Sequence, residues 1–330
     1  MVVLRRIGWG VLGLAAVVYV MNASWRAPSP TGELTIIAHR GVAQDYHREG
    51  LTNETCTAER IDPPTHPFLE NTIPSIAEAF RLGADVVEID IHPTTDGEFA
   101  VFHDWTIDCR TEGTGRTRDQ SMELLRTLDI GYGYTADGGE TYPFRGKAIG
   151  MMPTLGEVLE VFPGRAFLIN DKANRSGDAV LLSAYLDARP YAEPKRLSIV
   201  TGPRFASAWR DLRTDVPVGT RAEAKACAKG YLAWGWVGHV PESCAYGIGV
   251  PLDLRRVYWG WPNRLQARFA DTPGGVMVTG PLKNMGSGVT GVDSAEMLDQ
   301  LPDDFSGAIV TDKIEVVGPA LGREEPRDGD

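Results

Sequence analysis

The chain has 330 residues, 43% of them hydrophobic, enough to bury one large core or two ordinary ones. Lys and Arg number 33 against 44 Asp and Glu, a net charge of −11, and no basic run follows the first few residues. That balance argues against nucleic acid as a partner and leaves any bound phosphate to a few local cations or a metal.

Residues 1–26 stand apart. Arg5 and Arg6 precede an uncharged apolar run from Ile7 to Met21, an order that predicts the N-terminus in the cytoplasm and the remainder outside. The run is short for a span of about 20 residues and suits the apolar region of a signal peptide. Met21-Asn22-Ala23 is nevertheless a poor cleavage site. The segment is an uncleaved anchor or a removed signal peptide. In either case the rest is exported, held at the outer face of a membrane or released as a secreted or periplasmic protein. Residues 27–33 are a Pro/Gly linker.

Leu34 to Ala38 reads as a strand ending in His39-Arg40-Gly41. From Val42 to Leu69 the chain turns polar and loses periodicity, a loop long enough to expect a functional role or a lid. Glu70-Asn71-Thr72 opens a helix over Ile73–Leu82, with Ile73, Ile76, Ala77 and Phe80 as its buried face. Gly83 stops it, and Ala84–Ile91 reads as a buried strand. Glu88 and Asp90 leave that strand on one face, which His92 joins only if the strand bulges. Asp96-Gly97 turns the chain into a short strand, Phe99–Phe102, that delivers His103 and Asp104. Residues 105–150 form a second irregular insertion, and helical Leu155–Val161 then leads to a strand, Ala166–Ile169, ending in Asn170-Asp171-Lys172.

Further strands are expected at Leu197–Val200, Val216–Gly219, Gly247–Val250, Val276–Thr279 and Ala308–Thr311, with helices such as Ala179–Ala188 and Ser294–Leu301 between them. Alternating strands and helices argue for a parallel sheet. Eight such strands, with Phe99–His103 left over as a hairpin, predict a (β/α)₈ TIM barrel over 34–318, followed by a polar tail, 319–330. Its irregular insertions, 42–69 and 105–150, follow the first strand and the second strand with its hairpin. In such a barrel the polar residues at strand C-termini form the site. Trp259 and Trp261 either pack over an end of the barrel or line its mouth.

Cys56, Cys109, Cys227 and Cys244 match no zinc spacing and suit an exported protein. Of three possible pairings, Cys56–Cys109 and Cys227–Cys244 would each staple loops at one end of the barrel. Free buried thiols are the alternative.

The strand-end carboxylates Glu88 and Asp90 suit a hard divalent cation, Ca²⁺ or Mg²⁺. Arg40 presents a planar fork that matches phosphate oxygens, and Lys172 adds a second positive charge. With His39 and His103 converging on them, the set fits phosphodiester chemistry, one imidazole taking a proton and the other giving one.

The strings HRG (39–41), ENT (70–72), GADVVEIDIHPTTDG (83–97), HD (103–104) and GAIVTDK (307–313) resemble the glycerophosphodiester phosphodiesterase family in order and spacing. The resemblance implies metal-dependent hydrolysis of glycerophosphodiesters to glycerol 3-phosphate and an alcohol. It implies His39 and His103 as the acid/base pair and Arg40 and Lys172 as phosphate contacts. Glu88 and Asp90 would be metal ligands, with Glu70 near the metal and Arg40. Where the family has a further glutamate ligand this chain has Asn170, whose amide oxygen can bind a cation but supplies no charge. Two other functions fit the same residues. One is a lysophospholipase D or related lipid phosphodiesterase at the membrane; the other is a non-catalytic envelope binding protein on the same barrel. The expected partners are a small diester substrate and, through the N-terminal segment, a membrane.

Overall fold

The computed structural model of the chain describes residues 2–52, 55–282 and 290–325; the end of the polar tail, 326–330, lies outside them. The strands are β1 (Thr35–His39), β2 (Val86–Pro93), β3 (Phe99–Val101), β4 (Ala166–Asp171), β5 (Leu197–Thr201), β6 (Val218–Thr220), β7 (Ile248–Pro251), β8 (Val276–Thr279) and β9 (Ala308–Thr311). Eight run parallel in the order β6-β5-β4-β2-β1-β9-β8-β7, and β3 pairs antiparallel with β2 as the predicted hairpin. This is the strand succession of a (β/α)₈ barrel. Its seam falls between β6 and β7, where no ladder joins the described residues. The Tyr246 ring fills part of that gap, so close to Gly219 of β6 that an added Cβ there would lie 2.9 Å from it.

Helices cover the outside of the sheet, and for that reason β2 is buried along nearly its whole length rather than on alternate residues. The helix Ile73–Arg81 begins where Thr72 accepts a hydrogen bond from the Ser75 backbone. It buries Ile76, Ala79 and Phe80. Ala77 is exposed, because i, i+3 and i+4 from Ile76 define the covered face and Ala77 lies off it. The expected helix at 294–301 shortens to Ala295–Leu298; Pro302 disfavours helical backbone at Leu301.

The two insertions are not a loose lid. Ala58, Ile61 and Leu69 of the first pack with Ile107, Leu125, Ile130 and Phe144 of the second into a core of their own beside the hairpin. The disulfide Cys56–Cys109 ties them together. Cys227–Cys244 also forms, but it joins the helix Arg221–Trp234 to the turn that enters β7, at the N-terminal end of the strands. The two bridges therefore lie at opposite ends of the barrel. Trp259 and Trp261 also lie away from the site. Trp259 donates to the Leu232 carbonyl, and Trp261 stands 5.4 Å from Phe305, just ahead of β9.

Val2–Asn22 forms one helix of 21 residues. Among the described residues no helix is long and apolar enough to cross a membrane.

Candidate active site

The C-terminal ends of β1, β2, β4 and β9 bring the predicted residues together. At the end of β1 the backbone of Arg40 enters the left-handed region, φ 64°, which swings its guanidinium over the barrel mouth. Gly41 follows at φ 81°, where a Cβ would lie 2.3 Å from Ser75 Oγ, so only glycine fits the turn. Arg40 Nη1 donates to Glu70 Oε1 at 3.0 Å, and its Nε lies 3.1 Å from Asp90 Oδ2 as an ion pair without hydrogen-bond alignment.

The Glu70-Asn71-Thr72 triplet does three things. Glu70 pairs with Arg40 and with Arg110, whose Nη2 is 3.2 Å away. Asn71 donates to Asp90 Oδ2 and accepts from the Asp90 backbone, both at 3.1 Å. Thr72 caps the helix.

Asp90 is fully buried, and Lys172 Nζ reaches its Oδ1 at 2.8 Å. Against the upward push of burial, Lys172 and Arg40 hold the Asp90 carboxyl well below the usual carboxylate range. Glu88 goes the other way, raised by burial and by the charge of Asp90. Asn170 presents its amide nitrogen to both acids, 3.0 Å from Glu88 Oε1 and 3.0 Å from Asp90 Oδ1.

Each histidine is braced by a carboxylate on Nδ1. His39 pairs with Asp312 Oδ1 at 2.6 Å, and its Nε2 lies 3.8 Å from Glu88 Oε2. His103 pairs with Asp104 Oδ1 at 2.6 Å, and Arg110 Nε holds the other oxygen of Asp104 at 2.8 Å. The environments differ. Burial, Arg40 and Lys172 push the His103 imidazole down to about 4. Burial and Arg40 also press on His39, but Glu88 and Asp312 outweigh them and its affinity for a proton rises. Two like groups thus stand in opposite protonation environments, the arrangement acid/base catalysis requires.

Asp312 appears in the sequence only as one strand-end residue among several, and Asp104 only beside His103. Arg110, buried among Glu70, Asp104, Thr57 and Tyr134, and Arg48, 2.6 Å from Asp312 Oδ2, carry no sequence signal. His92 needs no bulge. The register of β2 against β4 is regular, so His92 faces the site side with Asp90, its Nε2 3.4 Å from the His103 carbonyl.

Among the described residues no three His, Cys, Asp or Glu stand close enough together to enclose an ion. One buried oxygen, Glu88 Oε2, nevertheless has no hydrogen-bond partner. An orphaned carboxylate oxygen beside Asp90 fits the donor chemistry of a hard cation.

A parallel α/β barrel whose strand C-termini carry two carboxylate-braced histidines, two cations and a cluster of acids can hold an anion and move protons beside it. Residues 39–178 match the model of the glycerophosphoryl diester phosphodiesterase family. A glycerophosphodiester phosphodiesterase of Caldanaerobacter subterraneus is 41% identical over 113 residues, 34% of this chain and 42% of that protein. Human glycerophosphodiester phosphodiesterase 1 is 43% identical over 65 residues, 20% of each chain. The match to the family model is confined to residues 39–178, and the chain spans 42% or less of the length of these curated relatives. Among solved structures, a putative glycerophosphoryl diester phosphodiesterase from Silicibacter pomeroyi superposes with a TM-score of 0.58 at 16% identity, covering 90% of this chain and 97% of that one. An Oleispira antarctica phosphodiesterase in complex with the product sn-glycerol-3-phosphate gives 0.54 at 17% identity, covering 91% and 99%. Both share the fold.

Proposed function

We propose that this protein hydrolyses glycerophosphodiesters to glycerol 3-phosphate and an alcohol. The observation that carries the proposal is the pair of histidines, each held at Nδ1 by a carboxylate at 2.6 Å and both under the influence of Arg40 and Asp90. The match of residues 39–178 to the family model and the product bound to the Oleispira enzyme support the same substrate class.

The chemistry follows from the residues. Arg40 and Lys172 receive the phosphate and oppose the charge that grows on its oxygens. His103, held neutral, takes the proton from the attacking hydroxyl or water. His39, held toward its protonated form, gives one to the departing alcohol oxygen. Asp104 and Asp312 fix the tautomers so that each Nε2 faces the substrate. Glu88, with Asp90, Glu70 and Asn170, would hold a divalent cation, Ca²⁺ or Mg²⁺, which supplies Lewis-acid stabilisation of the phosphoryl oxygens. Asn170 spends its amide nitrogen on Glu88 and Asp90, so it brings no negative charge and the affinity for the ion is modest.

The test is release of glycerol 3-phosphate from glycerophosphocholine and glycerophosphoethanolamine by protein stripped with a chelator, then supplied with no metal, Ca²⁺ or Mg²⁺. Metal-restored release that is lost in both His39→Ala and His103→Ala is the expected result. Binding of the diester that survives both substitutions, with no release under any condition, would leave a non-catalytic binding protein instead.

A further inference from the structure

The helix Val2–Asn22 and the catalytic residues sit at opposite ends of the barrel. His39 closes β1, Asp90 lies in the C-terminal half of β2, Asn170 in that of β4, and Asp312 follows β9. The helix joins the other end. Asn22 donates to the Trp236 carbonyl at 2.8 Å, and Ser24 Oγ accepts from the Asn263 backbone at 2.9 Å. Trp236 follows the helix Arg221–Trp234, which starts at the end of β6 and runs back for 14 residues, about 20 Å at the α-helical rise. Ala23 and Ala27 are buried. The junction is a docked segment rather than a free tether, so the barrel's orientation on the helix is fixed.

From Trp9 to Val17 the helix is apolar on every side, and the protein leaves that stretch uncovered. Ile7, Trp9, Leu12, Leu14, Val17 and Tyr19 point in all directions around its axis, and all are more than half exposed. At its foot Trp25 and Trp234, 72% and 58% exposed, extend that surface onto the barrel together with Val237. An apolar rod with tryptophans at its base and Arg26 beside them matches the order of layers on leaving a bilayer: hydrocarbon, aromatic interface, anionic headgroups. Contiguous apolar surface of this kind marks an interaction site.

We infer that the N-terminal end of the barrel is seated on a lipid bilayer with the helix Val2–Asn22 inserted, and that the active site opens to water on the far side. Its substrates are then water-soluble diesters without intact acyl chains rather than lipids of that bilayer. The substrate half rests on the hydrolysis proposed above. A lipid would have to leave its leaflet by the depth of the barrel to meet His39 and His103, exposing its chains to water methylene by methylene.

The test uses the full chain with vesicles of phosphatidylcholine and phosphatidylglycerol. Co-sedimentation, and quenching of tryptophan fluorescence by lipids brominated near the headgroup, report the seat. Both are expected, with most of the quenching lost in Trp9→Phe/Trp25→Phe/Trp234→Phe. Vesicle-bound protein should hydrolyse glycerophosphocholine within twofold of its rate without vesicles. It should turn over lysophosphatidylcholine in the same vesicles at least 100-fold more slowly. Protein left in the supernatant, including as a dimer joined through its helices, would overturn the bilayer seat. Comparable turnover of the lysolipid, or a tenfold loss on the soluble diester when bound, would overturn the orientation. If neither diester is hydrolysed while binding and quenching persist, the hydrolytic function fails and the substrate half with it, and the seat stands on its own readouts.

Discussion

Replacing Arg110 by methionine should destabilise the protein by about 3 kcal/mol and narrow its activity toward higher pH. Arg110 is 2% exposed and meets Glu70 at 3.2 Å, Asp104 at 2.8 Å and Thr57 at 3.0 Å, besides the Tyr134 hydroxyl. Breaking a buried ion pair by removing one partner costs about 3–5 kcal/mol, because the other charge is left without compensation. Here the remainder is partly covered. Glu70 keeps Arg40 at 3.0 Å and Asp104 keeps His103 at 2.6 Å, which places the loss at the lower end, and methionine fills most of the vacated volume. The functional consequence has a definite sign. With Arg110 gone, the negative charge of Asp104 acts more fully on His103, so the proton affinity of that imidazole rises from its depressed value near 4. A base that is protonated at higher pH loses activity first on the acid side. Chemical denaturation gives the stability term, and kcat/KM for glycerophosphocholine between pH 4.5 and 8 gives the other. A loss below 1 kcal/mol together with an unmoved acid limb would show that Arg110 is neither a structural counter-charge nor coupled to His103.

Asp312→Asn keeps the shape beside His39 but removes the charge 2.6 Å from its Nδ1; kcat should fall by about 10²–10⁴ with KM nearly unchanged, and an unchanged kcat would remove Asp312 from the machinery. Replacing Cys56 and Cys109 by serine opens a link between residues 53 apart, and Cys227 with Cys244 one of 17. Loop entropy assigns about 4 and about 3 kcal/mol respectively, and equilibrium unfolding that ranks them in reverse would reject that account. Burial raises the Glu315 carboxyl from its ordinary 4.5 to about 7. Its contribution is therefore whole below pH 4.5 and is lost as pH rises through 7, about 3 kcal/mol in all. Glu315→Gln should flatten that stretch of the stability profile, and a parallel profile would exclude Glu315 as its source.

The parts of the site carried by short strings were legible because each string is a local solution to a local problem. HRG is a strand end followed by a turn that only glycine tolerates. The strand Glu88–Asp90 alternates by geometry alone, and Thr72 caps the helix it precedes. The same period of two should have placed His92 with Asp90, since a regular strand needs no bulge to do so. The brace of His39 was not legible. His39 meets Asp312 across 273 positions of sequence, and no spacing rule connects them. Arg110 has no motif at all, since an arginine beside a cysteine in an irregular stretch looks like surface until the second core closes around it.

The set of strands and the end at which their polar residues emerge can be read along the chain, because hydrophobic period, turn residues and side-chain type are local properties. Which charge faces which cannot be read that way. Packing sets Asp312 against His39 and Arg110 against Glu70, aims the Asn170 amide nitrogen at the acids, and docks the N-terminal helix at the end of the barrel away from the site. Those are contacts between distant segments buried in a medium of low polarity, where a neighbour at 3 Å outweighs anything the chain carries nearby in sequence.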